Sequence, residues 1–167
     1  EPLEELVSEA ERLAAGGVTE LTLIAQDTSG YGVDRYGKPM LSELLTRLEA
    51  IEKLHWIRVL YTYPDTVTPE LIDRFRAGGK IVPYLDMPLQ HTEDEILRRM
   101  HRRGDQAHIK RVLDYVAKTA PEFMLRTTLM VGFPGETEEH FAHMLRFIQE
   151  HPFDRVGAFA FSLEEGT

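Results

Sequence analysis

Strand-like and helix-like patterns alternate along this whole chain, and that rhythm restricts its fold more than any other feature. Strands are read at Glu20 to Gln26, Trp56 to Thr62, Ile81 to Met87, Phe123 to Val131 and Arg155 to Phe161. Amphipathic stripes precede and separate them. The first is Leu3, Leu6, Val7, Ala10, Leu13 and Ala14, stopped by Gly16-Gly17. The second carries Leu41, Leu44, Leu45, Leu48 and Ile51. Thr68-Pro69-Glu70 opens a third, with Thr as cap and Pro in the first turn, and Gly78-Gly79 closes it. Thr92 to Glu95 matches a capping box; the helical pattern pauses at Gly104 and resumes through Ile109, Val112, Leu113 and Val116. Thr137 caps a last helix through Phe141, Leu145 and Ile148.

Five strands with five or six helices, read this way, are consecutive βαβ units and imply a parallel sheet in an α/β fold. Right-handed crossovers curl such a sheet one way. Helices on one side give a barrel segment; helices on both give a doubly wound sheet. No linker or low-complexity stretch divides residues 1–167, so a single domain is expected. The chain opens on a helix, at Glu1 rather than Met, so the expectation is a fragment with its first strand missing.

Side chains alternate across a strand. Leu21, Leu23 and Ala25 share one face; Thr22, Ile24 and Gln26 share the other. Leu85, Met87 and Leu89 oppose Tyr84, Asp86 and Gln90. Leu125, Leu129 and Val131 oppose Arg126, Thr128 and Met130. A parallel sheet covered on both faces reads apolar throughout. Here one face is polar, which predicts a wet or ligand-filled interior. The Trp56 and Arg155 strands leave their parity open.

The net charge of −9 makes nucleic acid a poor default partner, except through a local patch. Arg98-Arg99-Met100-His101-Arg102-Arg103 is the one basic cluster, and a solvated helix end explains it better than a substrate carboxylate or ribosomal RNA. There is no cysteine, which excludes disulfides, a thiolate nucleophile and any cysteine-bound metal or cluster within these residues. The seven histidines show no metal-binding spacing, so no metal ligand is assigned. No apolar run reaches the length of a membrane span, and no secretory leader is visible, so a cytoplasmic location is expected.

Three strand ends carry candidate chemistry. Gly132-Phe133-Pro134-Gly135-Glu136-Thr137 suits a type II turn whose glycines admit a ligand closely; a ligand-free turn is the plainer explanation. Ala25-Gln26-Asp27-Thr28 presents an amide at a strand's end, or Asp27 and Thr28 merely cap the loop. Asp86 interrupts the run Tyr84 to His91 and needs a partner, either a structural cation such as Arg58 or Arg126 or a ligand.

Taken in order, these strings resemble the radical S-adenosylmethionine (SAM) core of the methylthiotransferases. They are Ala25-Gln26-Asp27-Thr28 with Tyr31-Gly32, Tyr61-Thr62-Tyr63-Pro64, Tyr84 to His91, Arg126 to Thr137, and Ser162 to Thr167. The resemblance is closest to the branch acting on an aspartate of ribosomal protein S twelve. The sister branch, which modifies an adenosine of tRNA, has a Gly-Gln-Asn string where this chain has Ala25-Gln26-Asp27, and a Pro-Val-Gln-Ser-Gly-like string at Met87 to His91.

The resemblance implies a three-quarter parallel β/α barrel, SAM as cofactor and four-iron four-sulfur clusters in the parent protein. Their C-x-x-x-C-x-x-C ligands would lie before Leu3. It implies radical sulfur insertion into a ribosomal protein, inactivity of these residues alone, and SAM contacts at Gln26, Gln90, Arg126 and Gly132. No catalytic residue is assigned. The rival readings are a tRNA methylthiotransferase and a non-catalytic barrel used for binding.

Overall fold

The computed structural model describes residues 1–77 and 79–164. Gly78, half of the expected stop after the third helix, and residues 165–167, the end of the Ser162 to Thr167 string, lie outside the described residues. The elements are α1 (Leu3–Ala15), β1 (Glu20–Leu23), α2 (Val33–Tyr36), α3 (Leu41–Glu49), β2 (Trp56–Val59), a 3-10 turn (Pro64–Thr66), α4 (Pro69–Ala77), β3 (Tyr84–Asp86), α5 (Asp94–Arg99), α6 (Gln106–Thr119), β4 (Met124–Val131), α7 (Glu138–Glu150) and β5 (Arg155–Ala160).

Local chemistry accounts for most boundaries. Gly17 at φ 100° closes α1, with Val18 N–H donating to Leu13 O and Gly17 N–H to Ala14 O, the Schellman pattern. Thr68 Oγ1 accepts Leu71 N–H at the start of α4, and Thr137 caps α7 as expected. Two expectations need correction. Seven α-helices stand among the described residues rather than five or six; the addition is the one-turn α2, set between left-handed Gly32 and Gly37 in the Gly-rich loop. Thr92 does not open a capping box: the N-cap of α5 is Glu93, without a side-chain cap, and the Thr92 hydroxyl is buried with no hydrogen-bond partner.

All strand pairings are parallel. β1 pairs with β2, and β3, β4 and β5 pair in that order. A parallel bridge from Ile57 to Ile81 joins the two groups, through Ile57 N–H to Lys80 O at 2.8 Å and Val82 N–H to Ile57 O at 2.9 Å. The register resolves the open parities: Thr22 lies beside Arg58, Asp86 beside Arg126, and Arg126 beside Arg155.

One face of this sheet forms the core. Ile57, Val59, Leu85, Met87, Leu89 and Leu129 pack with Val7 and Ala10 of α1, Leu45 and Leu48 of α3, Ile72 and Phe75 of α4, Ile109 and Leu113 of α6, and Met144 and Phe147 of α7. Each of these buried side chains larger than alanine contributes roughly 1.5–3 kcal/mol. The other face contributes none of Thr22, Arg58, Tyr84, Arg126 or Thr128 to that core. Ile24, Trp56, Met124 and Phe159, on the same parity, remain exposed. Helices therefore cover one face and leave its opposite open, which is why a parallel sheet here carries a polar side.

β1, β2, β3 and β5 end earlier than the pattern implied, because the chain leaves regular pairing there to build loops; β4 ends at Val131 as read, and β3 also starts three residues later. After β3, Pro88 has no N–H, and Gln90 pairs with Leu129 one residue out of step with the Asp86–Arg126 register. The buried Thr127 hydroxyl repairs this bulge, donating to Met87 O at 2.9 Å and accepting Leu89 N–H at 3.2 Å. Thr127→Val keeps the shape and orphans both groups, so a loss of about 1–3 kcal/mol is expected in a urea titration. An unchanged midpoint would show that the hydroxyl does not hold the bulge.

Candidate functional site

The open face lines a cavity of about 730 Å³ bounded by Ile24, Arg58, Leu60, Tyr61, Tyr84, Met124, Arg126 and Arg155. Its charges are ordered by strand register. Arg58 Nε pairs with Glu20 at 2.9 Å, and its guanidinium lies 5.2 Å from the centre of the Tyr84 ring. Arg126 Nη1 donates to Asp86 Oδ1 at 2.7 Å. Asp86 is fully buried, and its other oxygen accepts Tyr61 N–H at 3.0 Å. Of the two cations named from the sequence, Arg126 is the partner. The hydrogen bond to Asp86 is the main cause that raises the Arg126 pKa above its ordinary value, burial opposing it. A guanidinium has five N–H donors, so this pair leaves most of them for the cavity.

The strand ends carry a second polar layer. Asp27 Oδ1 accepts Ser29 Oγ–H at 2.7 Å and Gly30 N–H at 3.1 Å; Thr28 Oγ1 accepts Ala25 N–H and donates to Leu60 O at 2.6 Å. Asp27 and Thr28 thus cap the loop after β1, the plainer of the two readings, while Gln26 beside them stays exposed. Gln90, after β3, has a left-handed backbone at φ 67°, unusual for a non-glycine residue, and its side-chain Oε1 is buried with no hydrogen-bond partner. Gly132, after β4, is exposed at φ 74°, and a Cβ there would meet nothing within 4 Å. Of the four residues at which the resemblance implies SAM contacts, Arg126 lines the cavity described above; Gln26, Gln90 and Gly132 lie at three strand ends and are not among its lining residues.

The residues that sequence reasoning missed are His91 and Glu136. The turn Phe133–Glu136 closes through Glu136 N–H to Phe133 O at 2.8 Å, with Pro134 and left-handed Gly135 in its centre. Glu136 Oε2 accepts the N–H groups of both Gly132 and Phe133. Its Oε1 faces His91 Nε2 at 3.6 Å, with side chains 5% and 0% exposed. That gap is longer than a hydrogen bond, and neither atom has another partner. Each such buried polar atom costs about 1–3 kcal/mol when unpaired, so their mutual approach matters. His91 Nδ1 accepts Glu93 N–H at 3.0 Å, which leaves Nε2 to carry the proton. Burial lowers the His91 pKa, Glu136 partly opposing it, so the ring is neutral near pH 7. The signal available in sequence was a histidine directly after an apolar strand, facing a glutamate one turn beyond a glycine.

The basic cluster is partly structural. Arg102 donates to Pro88 O and lies 4.3 Å from the Tyr63 ring centre, while Arg99 pairs with Glu95. His140 completes the capping box of α7 and His143 contacts Glu93, so neither is idle helix surface. Among the described residues no three His, Cys, Asp or Glu side chains group as a metal site, and no helix is long and apolar enough to cross a membrane.

Residues 1–148 match the family model of the radical SAM superfamily. The chain is 52% identical over 165 residues to a protein of Synechococcus elongatus named ribosomal protein uS12 methylthiotransferase RimO, covering 99% of this chain and 36% of that one. Proteins of the same name from Thermoanaerobacter sp. and Synechocystis sp. are 50% and 49% identical over 99% of this chain, covering 38% and 37% of theirs. The chain spans little more than a third of the length of these relatives. On the family match over most of its length, the chain belongs to the radical SAM superfamily.

Proposed function

We propose that residues 1–167 form a single domain, the larger part of a radical SAM core shaped as a partial parallel β/α barrel. The parent enzyme would methylthiolate an aspartate of a small-subunit ribosomal protein in the cytoplasm. The observation that carries this reading is the sheet face left open by one-sided helices, beside strand ends that expose ligand-ready groups. Half-identity over almost the whole chain to proteins named uS12 methylthiotransferases supports the choice of substrate.

The residues present fit SAM. Gln90 offers a buried carbonyl oxygen with no partner, Gly132 leaves room for close approach, and Gln26 and the uncommitted donors of Arg126 suit a polar ligand. Ligands of parallel α/β folds bind at strand C-terminal ends, where Gln26, Gln90 and Gly132 stand. The residues do not fit an iron–sulfur cluster, which needs thiolates that this chain does not have. Its ligands would come from elsewhere in the parent. Bound SAM supplies radical chemistry that removes hydrogen from an unactivated carbon, a task for which a general base is ill suited. The protein's share is to bind, orient and exclude water.

The test is a methylthiolation assay with the full-length parent protein, its clusters reconstituted, on ribosomes and on tRNA. Mass increase on the ribosomal protein is expected. Modification of tRNA alone would move the enzyme to the sister branch, and modification of neither would leave a binding barrel.

A further inference from the structure

We propose that His91 is a positioning residue that holds the Gly132–Glu136 turn in place through the Glu136 carboxylate. The inference rests on three geometric facts. First, Glu136 Oε2 is committed to the N–H groups of Gly132 and Phe133, so the position of this carboxylate sets the position of the turn. Second, its Oε1 and His91 Nε2 are buried, otherwise unpartnered, and face each other at 3.6 Å. Third, Glu93 N–H occupies His91 Nδ1 and thereby fixes the tautomer that presents an N–H to Glu136.

The consequence is a cross-link between two strand ends. His91 follows Gln90 directly, and Gln90 is bonded to β4 through Gln90 N–H to Thr128 O and Met130 N–H to Gln90 O. His91 ties the same segment to the loop after β4. A shift of the turn would therefore carry Gly132 away from Gln90, the two residues proposed to share a ligand. Burial keeps the imidazole neutral, so the contact joins an N–H donor to a carboxylate. The titratable groups acting on it are Glu136, Glu93 and His140. This role deepens the SAM-core reading and depends on it only for the ligand, not for the latch.

The two ring nitrogens can be tested apart. In the full-length parent protein, His91→Gln places an amide donor near the Nε2 position, whereas His91→Asn places an acceptor near Nδ1 and nothing near Glu136. Amide hydrogen exchange at Gly132 and Phe133 reads the latch, and KM for SAM against kcat reads its use. His91→Asn is expected to speed exchange at both amides by about tenfold or more, because the buried Glu136 carboxylate loses the one N–H group that faces its Oε1. It should raise KM for SAM with little change in kcat, and His91→Gln should restore both. Faster exchange without any change in KM upholds the latch and removes Gly132 from the SAM site. Unchanged exchange in His91→Asn overturns the proposal, as does rescue by Asn rather than Gln, which would reduce His91 to a cap for Glu93.

Discussion

Replacing Asp86 by alanine is expected to destabilise the domain by about 2–4 kcal/mol. The carboxylate is fully buried and has two dependants, the Arg126 guanidinium and the Tyr61 N–H. Tyr61 has φ 57°, a left-handed backbone that an aromatic residue adopts only when its surroundings insist. Asp86 Oδ2 is what its amide meets there, so the variant removes an acceptor and releases local strain into the turn between β2 and the 3-10 segment. Breaking a buried pair outright costs about 3–5 kcal/mol. The Arg126 side chain is 36% exposed, however, and water can take over its vacated donor, which brings the figure down. Asp86→Asn keeps an acceptor for Tyr61 and gives up the charge, so about half the loss is expected. Thr62 is a built-in control, because its N–H and hydroxyl both bond the backbone carbonyl of residue 86, which either variant retains. At roughly 2–4 °C per kcal/mol for a domain of this size, Asp86→Ala should lower the Tm by about 4–16 °C. A shift under about 1 °C would mean that Asp86 holds neither Tyr61 nor Arg126.

That pair shows what could be read from residues alone. A carboxylate within an apolar run demands a partner, and parity placed Arg126 on the same face. The one-sided helix cover was legible for the same reason: leucines at alternate positions need a lid and the residues between them do not. The periods of two and 3.6 residues also located all five strands. The C-terminal ends of β1, β2 and β3 were not legible, because long-range bonds terminate those strands, whereas β4 ends at Val131 as read. Thr28 N–H reaches Tyr61 O, and the Thr127 hydroxyl bridges the bulge at Met87 to Leu89. The Thr92 capping box failed for a related reason. Its spacing was right, but His91 Nδ1 occupies the Glu93 amide, and the segment enters α5 one residue later with Thr92 buried. At the candidate site, types of residue were legible and their distribution was not. Gln26, Gln90, Arg126 and Gly132 fall on three strand ends and one strand interior, a spread that register reveals and spacing conceals.

Residues 1–167 prepared alone are expected to retain no iron–sulfur cluster after anaerobic reconstitution, whereas the full-length parent should retain one or more. Biological clusters are held by cysteine thiolates, with imidazole as an occasional substitute. The chain has no cysteine, and carboxylates, of which it has 28, are hard ligands that do not replace thiolates on sulfide-bridged iron. Histidine offers no alternative: among the described residues no three His, Cys, Asp or Glu side chains group as a metal site, and His91, for one, is sealed between Glu93 and Glu136. Iron analysis and visible absorption after gel filtration would decide the matter, and stoichiometric iron and sulfide on the isolated domain would defeat the claim. The same experiment bears on SAM. A cluster in the parent would hold part of the cofactor, so the isolated domain would keep only the contacts its own side chains make. Titration of SAM into the isolated domain should therefore give an affinity at least about a hundredfold below that of the reconstituted parent, a loss of roughly 2.7 kcal/mol. Equal affinity in the two would place the whole binding energy on side chains such as Gln90 and Arg126, and would make the cluster irrelevant to holding the cofactor.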